Sequence, residues 1–229
     1  MYKIYPTLID NYNYYMVSEM SDKEMIDRIN RVETPVTDAQ IKGKGLNNLV
    51  DAMLQGYKPT IIESRQAYVW VEPIQKITDL FYDAEKPDTI TLEFDIKIVD
   101  EIVCKLKGAT IQAYSEAIIS TDYGDVLLYG YQDYLIRDKI IDLKTTSRYD
   151  FPKYYNAFQH KCYLYTMRES GNYINLFDYI ITDFRHVFIE SYNWHDNMIG
   201  EMKAQLSRFL GFVESNISVI HNTKLLGNS

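Results

Sequence analysis

Apolar and polar residues alternate along Tyr129–Arg137 and again along Ile140–Thr145. Alternation with a period of two is typical of β-strands, and the short polar break between the two runs predicts a hairpin. Side chains alternate across a strand, so Asp142 and Lys144 share one face of the second strand, while Asp133 lies in the middle of the first. The pattern therefore predicts charged side chains inside a sheet.

The segment after the hairpin carries the pattern of a helix. Asp150 is the expected N-cap, followed by a proline near the first turn, and the helix is predicted to run to about Arg168. On this helix Gln159 and Tyr163 lie four residues apart and therefore share one face. The chain thus orders two acidic strand positions, a lysine, and a helix with a glutamine and a tyrosine.

The rest of the chain alternates between helical and strand patterns. The predicted helices cover 21–31, 37–54, 73–83, 93–107 and 196–213, and the predicted strands 66–71, 109–120, 173–182 and 186–192. Capping boxes open the first two helices. Over 89–107 the period is ambiguous, because strand alternation passes into helical spacing near Ile98. This order predicts an α/β fold with a mixed central β-sheet flanked by helices.

Length and composition favour one domain. The 229 residues are 46% hydrophobic and could form a single domain of 1–229, with an N-terminal helical cap (1–35), a core (36–215) and a loose tail (216–229). No apolar run is long enough to span a membrane and the first residues lack a secretory pattern, so we expect a cytoplasmic protein of a bacterial or phage-infected cell. Cys104 and Cys162 are too few for a four-thiolate iron–sulfur cluster.

The hairpin residues suggest a metal site. If Asp133 and Asp142 lie side by side, two buried carboxylates require a cation between them. Mg²⁺ suits few protein oxygens with water completing its coordination. Lys144 could then orient or deprotonate a water. The alternative is an ordinary, partly exposed Asp142–Lys144 ion pair.

Together these motifs resemble the RecB-like branch of the PD-(D/E)XK nucleases, which have a restriction-endonuclease-like core and include lambda-type phage exonucleases. The matching residues are Gly130, Asp133, Asp142, Lys144, Gln159 and Tyr163. The resemblance implies that Asp133, Asp142 and the Leu143 carbonyl bind Mg²⁺ or Mn²⁺ and that Lys144 helps to activate water. It implies that Gln159 and Tyr163 contact the nucleic acid or brace the metal site, and we expect Thr145, Thr146 and Arg148 to contact the nucleic acid as well.

Two further metal ligands are considered. Many relatives carry a histidine in a G-x-x-x-H helix, and here Asn47 stands at that position. Its amide oxygen could ligate a hard cation more weakly, or Asn47 could be a polar residue on an exposed face. Glu116, in the strand before the hairpin, could fall near Asp133 if the register is favourable, or could simply face an edge.

The resemblance implies a metal-dependent DNA exonuclease in phage or bacterial DNA recombination or processing. A single-strand annealing protein as partner and a homo-oligomer are further expectations from it. The net charge is −8, yet residues 137–168 carry a net charge of +4, which suits a phosphate-binding region. An endonuclease of the same fold and a catalytically weak DNA-binding or assembly module are the alternatives.

Overall fold

The computed structural model describes residues 1–73 and 89–227, which contain nine strands, six α-helices and two short 3-10 helices (Glu63–Arg65 and Ile217–Val219). The strands are β1 (Tyr2–Ile4), β2 (Thr60–Ile62), β3 (Ala67–Pro73), β4 (Thr89–Asp95), β5 (Thr110–Thr121), β6 (Gly124–Ile136), β7 (Lys139–Thr145), β8 (Leu176–Thr182) and β9 (Val187–Asn193). The helices are α1 (Pro6–Tyr15), α2 (Asp22–Ile29), α3 (Asp38–Leu54), α4 (Ile96–Leu106), α5 (Phe158–Glu169) and α6 (Asn197–Ser215).

A mixed six-stranded sheet forms the centre of the fold, as the sequence predicts. Its order is β1-β6-β7-β8-β9, with β5 also paired to β6. The pairs β1–β6 and β7–β8 are parallel, and the other pairs of this sheet are antiparallel. The helices α1, α2, α5 and α6 share one core with β1, β5 and β6, while α3 and α4 pack in another with β3 and β4.

The sheet forks along β6. One edge of this strand pairs with β5 over 124–135, so β1 and β7 must share the other edge. On that edge β1 pairs with 126–128 and β7 with 134–136, which leaves 129–133 between them without a paired strand. The chain leaves β1 at Ile4 to enter α1, where Pro6 supplies a favourable first helical residue. The fork therefore opens a cleft beside the middle of β6.

Local signals gave reliable element types in much of the chain. The predicted capping boxes at Ser21 and Thr37 are present, with both reciprocal hydrogen bonds, and open α2 and α3. The predicted hairpin is β6–β7. A small antiparallel sheet of β2, β3 and β4 contains the predicted strand 66–71 together with two strands that were not predicted. No described helix has the length and apolarity required to cross a membrane.

Two helix starts were wrong. The expected helix from Asp150 begins only at Phe158, because the backbone amides of Lys153 and Tyr154 donate instead to the Glu190 carboxylate on β9. The expected helix from about residue 93 begins at Ile96, after β4 has completed its pairing with β3. In both places a tertiary contact outweighs the local pattern. The helix predicted for 73–83 lies outside the described residues after Pro73.

Both ends of the chain are more ordered than expected. Residues 2–4 form β1 inside the central sheet, rather than belonging only to a helical cap. The segment predicted to be a loose tail docks through 227: Ile220 and Leu225 are buried, and the carbonyl of Leu225 accepts a hydrogen bond from the backbone amide of Lys3 at 2.9 Å. The tail packs because its apolar side chains join the core under α1 and α2.

Candidate functional site

A cavity of about 460 Å³ opens at the fork of the central sheet. It brings together five side chains singled out from the sequence: Asp133 from β6, Asp142 and Lys144 from β7, and Gln159 and Tyr163 from α5. Leu143 and Thr145 of β7 also line it. The carboxylates of two strands thus meet where these strands stop pairing, with one face of α5 over them.

Asp142 is the most buried charged group of the cavity, with 2% of its surface exposed. Its Oδ1 accepts a hydrogen bond from Gln159 Nε2 at 2.5 Å, and its Oδ2 lies 2.8 Å from Lys144 Nζ. The ammonium group of Lys144 is therefore the charged partner of Oδ2. A carboxylate oxygen has more than one lone pair, so Oδ2 can contact Lys144 and still accept a further ligand.

Asp133 lies against Asp142 across the end of the β6–β7 pairing. Burial and, second, the negative charge of Asp142 raise the pKa of Asp133 to about 7, although Lys144 and the Leu143 amide act in the opposite direction. A strand residue points its N–H and C=O groups to the same neighbour, so the Leu143 carbonyl also faces this gap. The gap therefore concentrates oxygen atoms and negative charge.

Lys144 provides the cation of the pair. Burial by itself disfavours the ammonium form, but the charges of Asp142 and Asp133 outweigh it and raise the pKa of Lys144. About a third of the side chain is exposed, at 31%. The ammonium group therefore contacts Asp142 on one side and remains reachable from the cavity on the other.

The N-terminal half of α3 forms the opposite wall. Gln40, Gly43, Lys44 and Asn47 line the cavity, and the buried Asn47 Oδ1 has no hydrogen-bond partner among the described residues. A Cβ at Gly43 would lie 2.5 Å from Thr145 Oγ1, so a glycine permits the helix to approach β7 this closely. Asn47, predicted in place of a histidine, thus faces the cavity with a free oxygen.

Contacts outside the cavity fix the position of α5. Asp10 of α1 accepts the backbone amide of Phe158 at 2.6 Å and so caps a helix that has no cap of its own. Burial, opposed by this hydrogen bond, raises the pKa of Asp10 to about 6. On the open edge of β6, Tyr163 Oη donates a hydrogen bond to the Tyr131 carbonyl at 2.9 Å. A Cβ at Gly130 would lie 2.8 Å from Tyr163 Oη, so glycine leaves room for this side chain.

Three predicted residues are not brought to this cavity. Glu116 lies opposite Tyr129, four residues along β6 from Asp133, and accepts a hydrogen bond from Tyr114 at 2.5 Å. Thr146 and Arg148 bond to each other, and Arg148 forms an ion pair with Asp150 at 2.7 Å. The strand register, which the sequence alone leaves open, decides the position of Glu116.

Acidic partners reduce the positive charge of 137–168. Four of its basic residues form ion pairs, namely Lys139 with Asp178, Lys144 with Asp142, Arg148 with Asp150 and Lys161 with Glu201. Asp142 and Asp150 already count in the net charge of +4, so the pairs with Asp178 and Glu201 lower it to +2.

Three residues of the site were not predicted from the sequence. Lys44 lines the cavity and lies 3.4 Å from the buried Glu72, which Asn48 and Trp70 hold by hydrogen bonds. Gln112 Nε2 approaches Asp133 Oδ1 at 3.4 Å from the neighbouring β5. Asp10 affects the site indirectly, because it caps the helix α5 that carries Gln159 and Tyr163. Only Lys44 had a signal, since it lies one helical turn before Asn47.

The cavity fits a hard divalent cation of the Mg²⁺ type. Among the described residues no group of three His, Cys, Asp or Glu side chains is present. The donors are instead two adjacent carboxylates, the Leu143 carbonyl and the unpaired Asn47 oxygen. Mg²⁺ commonly uses one or two carboxylates and keeps several waters, so this smaller oxygen set is sufficient.

Comparisons with known proteins give information on the fold of this chain. No family model and no curated protein matches the chain. The crystal structure of a "Putative exonuclease" from Eubacterium rectale matches over 93% of this chain and 82% of that one, with 12% identity and a TM-score of 0.54. A second structure, SSO0001, matches over 92% and 76%, with 13% identity and a TM-score of 0.48. The first similarity shows that this chain shares its α/β fold with that protein.

Proposed function

We propose that this protein is a metal-dependent nuclease of the PD-(D/E)XK type that hydrolyses phosphodiester bonds in DNA. The observation that carries the proposal is the pair of adjacent carboxylates, Asp133 and Asp142, enclosed at the sheet fork with the ammonium group of Lys144 beside Asp142. Lys144 offsets one of the two negative charges, and a bound cation would offset the other.

Asp133, Asp142 and the Leu143 carbonyl would hold Mg²⁺ or Mn²⁺, and Asn47 would be an additional weak ligand. When bound, such an ion supplies Lewis-acid polarisation of the phosphate diester and activation of a water for attack. Gln159 fixes the orientation of Asp142 through its hydrogen bond to Oδ1. Asp10 supports this arrangement because it caps the helix that carries Gln159.

Two lysines of the cavity are suited to an anionic substrate. Lys144 contacts Asp142 yet remains partly exposed, so it can stabilise negative charge that develops on a phosphate and hold the attacking water. Lys44 is 58% exposed, and its partner Glu72 is buried behind it. We assign Lys44 to a neighbouring phosphate, where it acts by charge alone.

Within this activity we favour an exonuclease over an endonuclease. The description of the Eubacterium rectale structure as a "Putative exonuclease", together with the resemblance to lambda-type enzymes, supports that choice. From the same resemblance we extend the proposal to DNA recombination or processing in phage or bacteria, beside a single-strand annealing protein, and to a homo-oligomer. Light scattering of the purified protein tests the last expectation.

The test compares end-labelled linear duplex with closed circular duplex in Mg²⁺ or EDTA, for the wild type and Lys144→Ala. Loss of the linear DNA alone, dependent on both Mg²⁺ and Lys144, is the expected result. Cleavage of the circle would establish the endonuclease instead. Metal-independent cleavage, or equal cleavage by Lys144→Ala, would contradict the assigned site, and binding without any cleavage would favour the DNA-binding module.

A further inference from the structure

A second cavity, of about 480 Å³, adjoins the first along the open edge of β6. The two share Thr7, Tyr131 and Tyr163 in their walls. The rest of the second cavity is formed by Tyr5, Pro6, Arg31, Tyr129, Gly130 and Lys224, so it contains aromatic rings and two cations but no carboxylate. Neither of its cations was singled out in the sequence, because Arg31 follows the end of α2 and Lys224 lies in the C-terminal segment.

Both cations rest on aromatic rings. The Arg31 guanidinium lies 5.3 Å from the centre of the Tyr5 ring, and Lys224 Nζ lies 5.3 Å from the centre of the Tyr129 ring. Within the described part of the chain neither forms an ion pair. Cation–π contacts hold a positive charge in place without neutralising it. The cavity therefore keeps two charges available for an anion, unlike Lys139, Lys144 and Lys161, which form ion pairs.

The two cations are fixed relative to each other by the docked tail. Asn30 Nδ2 donates to the Val219 carbonyl at 2.9 Å, and Asn30 Oδ1 accepts the His221 amide at 2.7 Å. Asn222 Nδ2 donates to the Ile29 carbonyl at 2.7 Å. These bonds join the end of α2, immediately before Arg31, to the segment that carries Lys224. The arrangement is thus preorganised rather than formed by two independent surface side chains.

Tyr131 lies between the two cavities. It is 57% exposed, which is unusual for a large ring at the centre of a sheet, and it packs against Tyr114 with 5.0 Å between ring centres. Tyr129, Tyr131 and Asp133 occupy alternate positions of β6, about 7 Å apart along the strand. A chain of alternating anionic and aromatic groups laid along β6 would meet Asp133, the Tyr131 ring and the two cations in succession.

We propose that the second cavity binds an unpaired stretch of the nucleic-acid strand next to the bond that is cleaved. Arg31 and Lys224 take its phosphates, and Tyr131 stacks on a base. The combination of fixed cations with an exposed aromatic ring is the one by which proteins hold single strands without reading their sequence. This inference rests on the proposed nuclease function and adds to it where the substrate strand lies.

The test measures binding of a short fluorescein-labelled oligothymidylate by anisotropy in EDTA, so that no cleavage takes place. The first variant is the double substitution Arg31→Ala/Lys224→Ala. Its control, Lys23→Ala/Lys203→Ala, removes the same charge from two exposed lysines that line neither cavity. We expect at least about tenfold weaker binding in the first variant, and a salt slope shallower by about 1.4 for two lost phosphate contacts.

The second variant separates stacking from charge. Tyr131→Ala should weaken binding at least about fivefold with the salt slope unchanged, whereas Tyr131→Phe, which keeps the ring, should bind like the wild type. Thermal unfolding of each variant checks that it is folded. Affinities of both cavity variants within twofold of the controls would overturn the inference.

The two proposals fail separately. The strand-binding inference alone would be overturned if the wild type cleaves DNA but the substitutions at Arg31, Lys224 and Tyr131 leave the oligothymidylate affinity unchanged. A protein whose binding depends on these residues, but which cleaves neither linear nor circular DNA in Mg²⁺, would support the strand-binding cavity and contradict the nuclease function.

Discussion

The central sheet carries two buried acidic centres, one where β6 and β7 separate and one on β9, and they differ in which groups stabilise the negative charge. Glu190 on β9 is 1% exposed, and its two oxygens accept four hydrogen bonds, from the Tyr149 hydroxyl at 2.9 Å, the Lys153 amide at 3.0 Å, the Tyr154 amide at 2.8 Å and the Tyr192 hydroxyl. At the sheet fork, Asp133 and Asp142 face each other, and the ammonium group of Lys144 lies 2.8 Å from Asp142 Oδ2.

The pKa shifts of the two centres go in opposite directions. Burial alone raises the pKa of Glu190, but its hydrogen bonds reverse the shift and lower it below the ordinary value. The pKa of Asp133 is instead raised to about 7 by burial and by Asp142. Glu190 is therefore a structural anchor for residues 149–154, whereas the fork carries a charge that the protein alone does not balance.

The largest expected effect separates the centres by activity. Asp142→Asn should lower the rate of Mg²⁺-dependent DNA cleavage at least about 100-fold, because a metal ligand contributes several kcal/mol to transition-state stabilisation. Asp138→Asn, which removes an exposed carboxylate from the β6–β7 turn, is the matched control and should retain full activity. Initial rates on end-labelled duplex measure the difference, and equal loss in both variants would contradict the assignment.

The second prediction separates the centres by stability. Glu190→Gln should lower the free energy of unfolding by about 3 kcal/mol, since the amide group cannot accept from all four donors. Asp150→Asn removes an exposed ion pair from the same segment and should change it by less than about 0.5 kcal/mol. Urea denaturation measures both. A negligible cost for Glu190→Gln would show that its hydrogen bonds are not a structural anchor.

The acid sensitivity of the Glu190 region gives a third prediction. His160 stacks on Tyr192 with 4.2 Å between ring centres, and burial lowers the pKa of His160 to about 3. In the unfolded chain its pKa is about 6.5. Between these values the unfolded state binds the extra proton, so this contribution to stability is complete above pH 6.5 and is lost as the pH falls.

We therefore expect the wild type to lose about 2 kcal/mol more of its unfolding free energy than His160→Phe between pH 8 and pH 5. Asp10 and Asp133 have raised pKa values, so their contributions to stability change with pH in the opposite direction to that of His160. Because both aspartates are present in the wild type and in His160→Phe, the difference between the two proteins is the quantity to measure. The exposed His195→Phe serves as control. Parallel stability curves for wild type and His160→Phe would contradict this prediction.

The smallest expected effect is on the stability of the metal-free protein and arises at the sheet fork. Asp133→Asn should raise the free energy of unfolding in EDTA by about 1 kcal/mol, because it removes one of two adjacent negative charges. The same substitution should reduce stabilisation by Mg²⁺. Thermal or urea unfolding with and without the ion provides the test. A destabilised metal-free variant would mean that Asp133 is a structural residue like Glu190.

The sequence predicts the fork residues better than the elements around them. Strand alternation and the turn between the strands are local signals, so the hairpin that carries Asp133, Asp142 and Lys144 was predicted with little error. The two capping boxes are equally local and predicted α2 and α3. Element types follow from such short patterns wherever the pattern itself is long enough.

What the sequence did not reveal depends on contacts between distant segments. Helix α5 begins late because Asp10, about 150 residues earlier, caps it and Glu190 holds the preceding segment. Register places Glu116 beside Tyr129 rather than Asp133. Arg31 and Lys224 line the same cavity because the C-terminal tail docks on the end of α2. No spacing within one segment encodes these distances, so the second cavity could not be predicted.

The most direct test is a calorimetric titration of Mn²⁺ into the metal-free wild type, Asp142→Asn and Glu190→Gln. The unbalanced fork predicts that the wild type binds the ion, that Asp142→Asn loses most of the affinity, and that Glu190→Gln binds like the wild type although it is less stable. A wild type that does not bind, or an Asp142→Asn variant that binds equally well, would contradict the account.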